Sequence, residues 1–270
     1  MPFSPNPYAA LRSAALYVRQ FRRKTFVVLL DGTVIGDPKL RRAACEQIGL
    51  LWAFSIQPVV VHSASPELDT PFDTGSPITG RLRTDLLTDL QAAGVPCVGL
   101  SGVDAGLLKA RPMKAGTSGD IESVDTRLLQ HLRSGEYVPV VAPLAGDPTG
   151  AVHNASADTV AALLAVALGA EKLFFLLTTP GLLRDASNPN SIIPLASLQE
   201  LAELEKEGQL SGNLKPKAHA IRHALEGGVG SVHLVSGTLP DALLEEVFTN
   251  EGSGTMVVRE PPARGAGGST

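Results

Sequence analysis

Short apolar runs of strand length alternate with longer stretches of helical periodicity along almost the whole chain. Thr25 to Leu30, Gln57 to Val61, Val95 to Leu100, Tyr137 to Ala142, Lys172 to Leu177, Ser231 to Ser236 and Thr255 to Val258 read as strands. Lys39 to Phe54, Leu82 to Ala93, Val124 to Ser134, Asp158 to Ala170, Leu195 to Glu207, Lys217 to Glu226 and Pro240 to Phe248 read as helices. Neighbouring strands that run parallel need a crossover, and a helix supplies it. The strands lack polar alternation, so both faces of their sheet must be covered. The expectation is an α/β domain with a mostly parallel sheet between helical layers. In such sheets ligands bind beyond the carboxyl ends of the strands. The loops after Leu30, Val61, Leu100 and Leu177 are therefore the places to look for chemistry.

The flanks differ from this body. Tyr8, Leu11, Ala15, Val18 and Phe21 recur at helical spacing, with Arg12, Arg19 and Arg22 on the other side. The chain thus divides into an N-terminal helix (1–24), one domain (25–259) and a Gly/Pro-rich tail (260–270) expected to be flexible. Asp69 to Ile78 reads as a loop. Hydrophobic residues at 44% and charged residues at 19% exclude a disordered chain. A net charge of −4, with no basic stripe among aromatics, points away from nucleic acid. The longest apolar runs, such as Val160 to Ala170, fall well short of a bilayer span, and no secretory signal is visible, so a cytoplasmic protein is expected. Cys45 and Cys97 sit in apolar runs and read as buried free thiols. His219 and His223 lie four apart, but with no Glu beside them and no third ligand they read as a solvated face; no metal site is expected.

Asn154-Ala-Ser-Ala-Asp158 resembles the N-x-N-A-D of the acetylglutamate kinase family. Leu173 to Leu183 resembles its L-T-D-V-P-G-L-L, and Gly212-Asn-Leu-Lys-Pro-Lys217 its G-G-M-x-P-K. Ala224 to Thr255 follows the family segment by segment. The resemblance implies the amino acid kinase fold, a three-layer αβα sandwich, and a reaction in which MgATP phosphorylates the side-chain carboxylate of N-acetyl-L-glutamate in arginine biosynthesis. Catalysis of that kind is positioning and charge stabilisation around an in-line transfer. By resemblance Lys217 contacts the transferring phosphoryl group, Asp158 orients lysine side chains, and Asn154 contacts the acetylglutamate. Each also has a plainer reading. Asp158 suits the start of a helix, and Lys217 could be a solvated lysine.

The phosphate loops depart from the family pattern. Its first lysine and paired glycines, K-x-G-G, align with Leu29-Leu30-Asp31-Gly32. Two like charges about 4 Å apart repel by roughly 4 kcal/mol at an effective dielectric of 20, so Asp31 opposes phosphate. Lys24 lies five strand residues back, roughly 16 Å away, and cannot replace the lysine. The second loop, H-G-G-G-P, reads His62-Ser63-Ala64-Ser65-Pro66, placing side chains where a backbone would approach phosphate. The family's R-V-T-D element has no clear counterpart between Pro66 and Gly94; Arg81 or Arg83 could supply its arginine.

Two functions follow. One is an acetylglutamate kinase of low activity. The other is a catalytically silent pseudokinase that senses arginine or scaffolds an N-acetylglutamate synthase or kinase partner. In arginine-sensitive relatives the effector lies between the N-terminal helix and a loop resembling Thr249 to Thr255. Here Glu251 could fork to the guanidinium, Gly252 and Gly254 could offer N–H donors to the carboxylate, and Tyr17 could cover the aliphatic stem. A simple helix-to-strand turn is the plainer reading. The resemblance also implies a homo-oligomer, a dimer or a hexamer linked through the helix stripe Leu11, Ala14, Val18 and Phe21.

Overall fold

β1 (Thr25–Leu30) is buried along its whole length, as six consecutive residues without a polar face require. It lies at the middle of an eight-stranded sheet in the computed structural model, which describes residues 8–63, 77–111, 120–185, 188, 191–210 and 214–260. β2 (Gln57–His62) and β9 (Lys172–Leu177) flank it in parallel. β6 (Val138–Ala142) and β3 (Cys97–Ser101) continue on one side, and β11 (Ser231–Ser236), β12 (Thr255–Val258) and β10 (Leu195–Ser197) on the other. Among the described residues, only the β11–β12 pair in this sheet is antiparallel.

Side-chain alternation divides the core in two. Val27, Leu29, Val59 and Val61 pack with α6 (Ala157–Ala167) and α8 (Leu214–Glu226), joined by α5 (Arg127–Ser134) and α7 (Leu198–Lys206). Phe26, Val28, Leu30 and Val60 face the opposite layer. That layer comprises α2 (Gly32–Gly36), α3 (Pro38–Ala53), α4 (Pro77–Ala92) and α9 (Ala242–Phe248). The result is the expected three-layer sandwich. Helix starts follow local chemistry. The Asp37 carboxylate accepts from the N–H groups of Lys39 and Leu40, with Pro38 at the first turn of α3. Ser197 and Glu200 form a reciprocal capping box on α7.

The structure corrects several boundaries. A second sheet, order β5-β4-β7-β8, is built from β4 (Leu108–Ala110), β5 (Ile121–Val124), β7 (Leu144–Gly146) and β8 (Val152–Asn154). Strands of three or four residues are too short to show a period. The helix expected from Val124 begins only at Arg127, because Asp125 turns the chain by accepting the Arg127 N–H. Leu195 to Ser197 extends the sheet instead of starting α7. Residues 69–76 and 261–270 lie outside the described residues, while Pro77 and Ile78 already belong to α4.

α1 (Tyr8–Phe21) docks on its own domain. Phe21 is buried, 5.3 Å from Phe26 edge-to-face, and Tyr17 stacks on Phe21. Of the expected oligomer stripe, Phe21 belongs to this internal core. The side chains of Leu11 and Ala14 lie outside the described residues. Among the described residues no helix is long and apolar enough to cross a membrane.

Candidate functional site

Asp31 follows the last residue of β1 and caps α2, its carboxylate accepting from the Thr33 N–H at 3.2 Å. Asp158 lies in the first turn of α6, whose start is capped by Ser156. Lys217 lies in the first turn of α8, which packs alongside α6. The packing brings the three together at the carboxyl edge of the sheet. Lys217 Nζ donates to both Asp158 oxygens, at 3.0 and 3.2 Å, and lies 3.6 Å from Asp31 Oδ2. The side chains of Lys217, Asp158 and Asp31 are 6%, 14% and 16% exposed. Lys217 is therefore no solvated lysine, and Asp158 does more than start a helix. Burial pushes the Asp158 carboxyl above its usual range. Lys217 opposes that rise, and Asp31 adds to it.

Of the other expected site residues, some lie beside Asp31 and others on separate elements. Leu29 is buried in the apolar layer under α6. Lys24 pairs with Glu171 at the opposite end of β1, 3.0 Å away. Gly32 is buried inside α2. Ser63 N–H donates to the Leu30 carbonyl at 3.0 Å, tying the second loop to the first; Ala64 lies outside the described residues. Asn154 ends β8, half-buried. Arg81 is exposed on α4, and Arg83 donates from α4 to the Gly99 carbonyl of β3. α4 lies across the sheet from α6 and α8, so neither arginine shares their layer. The exposure of His219 and His223 agrees with a solvated face. Cys45 is buried and Cys97 only half-buried, both free.

At the far edge Tyr17 Oη donates to Asn250 Oδ1 at 2.5 Å, joining α1 to the loop before β12. Glu251 is exposed. The Gly252 N–H, at a φ of +67°, donates to Thr249 Oγ1, and the Gly254 N–H donates to Glu246 Oε2. Both glycine donors are thus already engaged inside the protein. Behind the loop lies a buried polar chain that sequence reasoning missed. His233 Nδ1 is 2.6 Å from Glu246 Oε1, and its Nε2 is 2.9 Å from Lys172 Nζ and 2.8 Å from Ser231 Oγ. Burial lowers the His233 pKa to about 4, leaving a neutral ring. Lys172 can then donate to Nε2, while Nδ1–H donates to Glu246. The visible signal was a His and two Ser in an otherwise apolar strand.

Comparison with known proteins places this geometry. The amino acid kinase family matches residues 24–236. An acetylglutamate kinase of Myxococcus xanthus (strain DK1622) is 60% identical over 305 aligned positions, covering 99% of both chains. One from Synechococcus sp. (strain CC9311) is 38% identical over 93% of this chain and 96% of its own. Among solved structures, the N-acetylglutamate synthase of Neisseria gonorrhoeae complexed with coenzyme A and N-acetylglutamate aligns with a TM-score of 0.81 and 28% identity. Its complex with coenzyme A and L-arginine aligns with a TM-score of 0.80 and 27% identity. This chain is covered to 94% in both, and spans 64% and 66% of the respective synthase chains. The family model over residues 24–236 and the two acetylglutamate kinases matched over almost their whole length make the chain a member of the amino acid kinase family, within its acetylglutamate kinases.

Proposed function

We propose that the protein is a slow acetylglutamate-kinase-type phosphotransferase, with MgATP and N-acetyl-L-glutamate as its substrates. The observation that carries this reading is the buried Lys217–Asp158 pair at the carboxyl edge of the sheet. Lys217 would hold an oxygen of the transferring group, Asp158 would fix the ammonium, and Asn154 would position the acceptor. Among the described residues no group of three or more His, Cys, Asp or Glu could hold a metal ion, so Mg²⁺ would arrive on the nucleotide phosphates. Transfer is slow in this reading because one lysine faces two carboxylates. A negative phosphoryl group in flight needs net positive surroundings. An unfavourable interaction of about 4 kcal/mol corresponds to roughly three powers of ten in rate. A coupled ADP-release assay tests it: acceptor-dependent turnover well below about 1 s⁻¹ is expected. A rate at or above that value would sink the slow-transfer reading, and no acceptor-dependent release would leave a silent domain.

A second reading, response to L-arginine, is favoured by the Tyr17–Asn250 contact between α1 and the loop before β12. Glu251 would take the guanidinium there. Calorimetry with millimolar arginine is expected to show binding that Glu251→Ala weakens by about 1.5–3 kcal/mol; no heat from the intact protein would eliminate it. We also propose a homo-oligomer linked through α1, which light scattering before and after removal of residues 1–20 would reveal.

A further inference from the structure

We propose that the Asp31 carboxylate is a built-in competitor of phosphate, occupying Lys217 where a nucleotide phosphoryl oxygen would otherwise bind. This rests on the reading of Lys217 as the phosphoryl-binding lysine. Asp31 Oδ2 faces Lys217 Nζ at 3.6 Å, while Oδ1 is fixed by the Thr33 N–H at 3.2 Å. The Asp31 main chain is fixed as well, its N–H donating to the Leu176 carbonyl at 3.1 Å. Contacted at both oxygens and only 16% exposed, the carboxylate does not rotate away into water without losing contacts.

The charge count makes this contact consequential. Asp158 already holds the ammonium through both oxygens. Among the described residues no other Lys or Arg forms an ion pair with Asp31 or Asp158. One cation therefore serves two anions, and an arriving phosphate becomes a third. It can approach Lys217 only by sharing the ammonium with Asp31 or by displacing it. The position thus sets what the site accepts: phosphate oxygens are resisted by Asp31 itself, with no further element needing to move.

The test compares nucleotide binding by the full chain and its variants, using MgATP without acceptor in calorimetry. Asp31→Asn removes the charge but keeps an oxygen for the Thr33 N–H, so α2 stays capped. Its affinity for MgATP is expected to rise about tenfold or more, equivalent to about 1.4 kcal/mol, and the gain is expected to vanish in Asp31→Asn/Lys217→Met. Asp31→Gly, which also removes the cap, is expected to share the gain if it folds. Unchanged or weaker binding by Asp31→Asn, with wild type still losing affinity on Lys217→Met, overturns this proposal alone. No MgATP binding by wild type or Asp31→Asn overturns both it and the reading it rests on.

Discussion

Lys217→Met is expected to destabilise the protein strongly, and more at high pH than at low. The substituted side chain keeps the apolar stem but removes the ammonium from between Asp31 and Asp158. Breaking one partner of a buried pair typically costs about 3–5 kcal/mol, because the remaining charge is left without compensation. At 14% exposure, Asp158 has little water to replace the lysine. The sign of the pH effect follows from the carboxyl. Burial already raises the Asp158 pKa, and Lys217 is the group that opposes this rise. Without the lysine the folded-state pKa climbs further, so the penalty is full above it and fades as pH falls through it. Each pH unit below that raised value returns about 1.4 kcal/mol, until protonation of the unfolded state begins to offset it. Urea unfolding followed by fluorescence of the single tryptophan, Trp52, gives the difference from wild type at pH 7.5 and 5.5. A deficit that shrinks on acidification, and that Asp158→Asn partly restores in the Lys217→Met background, fits the argument. A deficit below about 1 kcal/mol, or one equal at both pH values, would refute it.

Three further outcomes are expected. Burial lowers the His62 pKa from 6.5 to about 4, so the stability kept by its neutral ring is complete above 6.5 and lost as pH falls toward 4. Wild type is expected to lose about 3 kcal/mol relative to His62→Phe over that window, and parallel pH curves in urea unfolding would contradict this. Arg41, 6% exposed, pairs with Asp89 at 2.7 Å and donates to the Ile35 carbonyl; Arg41→Met is expected to cost about 3 kcal/mol, at the lower end because Arg42 stays 3.5 Å from Asp89. A loss under about 1 kcal/mol in denaturant would show that the α3–α4 pair is not held by this contact. Burial pushes the Cys45 thiol up to about 12, while Cys97 is only half-buried. Thiol labelling at pH 8 with mass-spectrometric mapping is expected to find Cys97 modified in the folded protein and Cys45 only after unfolding; early labelling of Cys45 would contradict that burial.

The large sheet was legible because its strands are long enough to carry a pattern. β1, β2, β9 and β11 are six residues each and mostly apolar, and burial on both faces leaves no other use for such runs. The second sheet was not legible for the opposite reason. β4, β7 and β8 have three residues each, and what holds them is pairing with distant segments, such as Lys109 with Gly146. The helix misread from Val124 shows the same limit. Nothing in its apolar spacing reveals that Ile121–Val124 pairs with β4, and the local mark of the break is the Asp125 turn.

The candidate site divides along a similar line. Asn154, Asp158 and Lys217 could be named from the resemblance of their motifs to the family's, but their burial could not, because it depends on α6 lying against α8. A lysine at the start of a helix is ordinarily solvated. Lys217 is buried because Asp158 and Asp31 supply acceptors on two sides, and those acceptors lie 59 and 186 residues away in sequence. Asp31 was legible only as a charge against phosphate. Its contact with the lysine gives that charge a target. The same carboxylate that opposes a ligand helps compensate the buried ammonium when none is bound. A substitution at 31 is therefore expected to act on ligand affinity and on folding stability in opposite directions. A purely repulsive Asp31 would not couple the two.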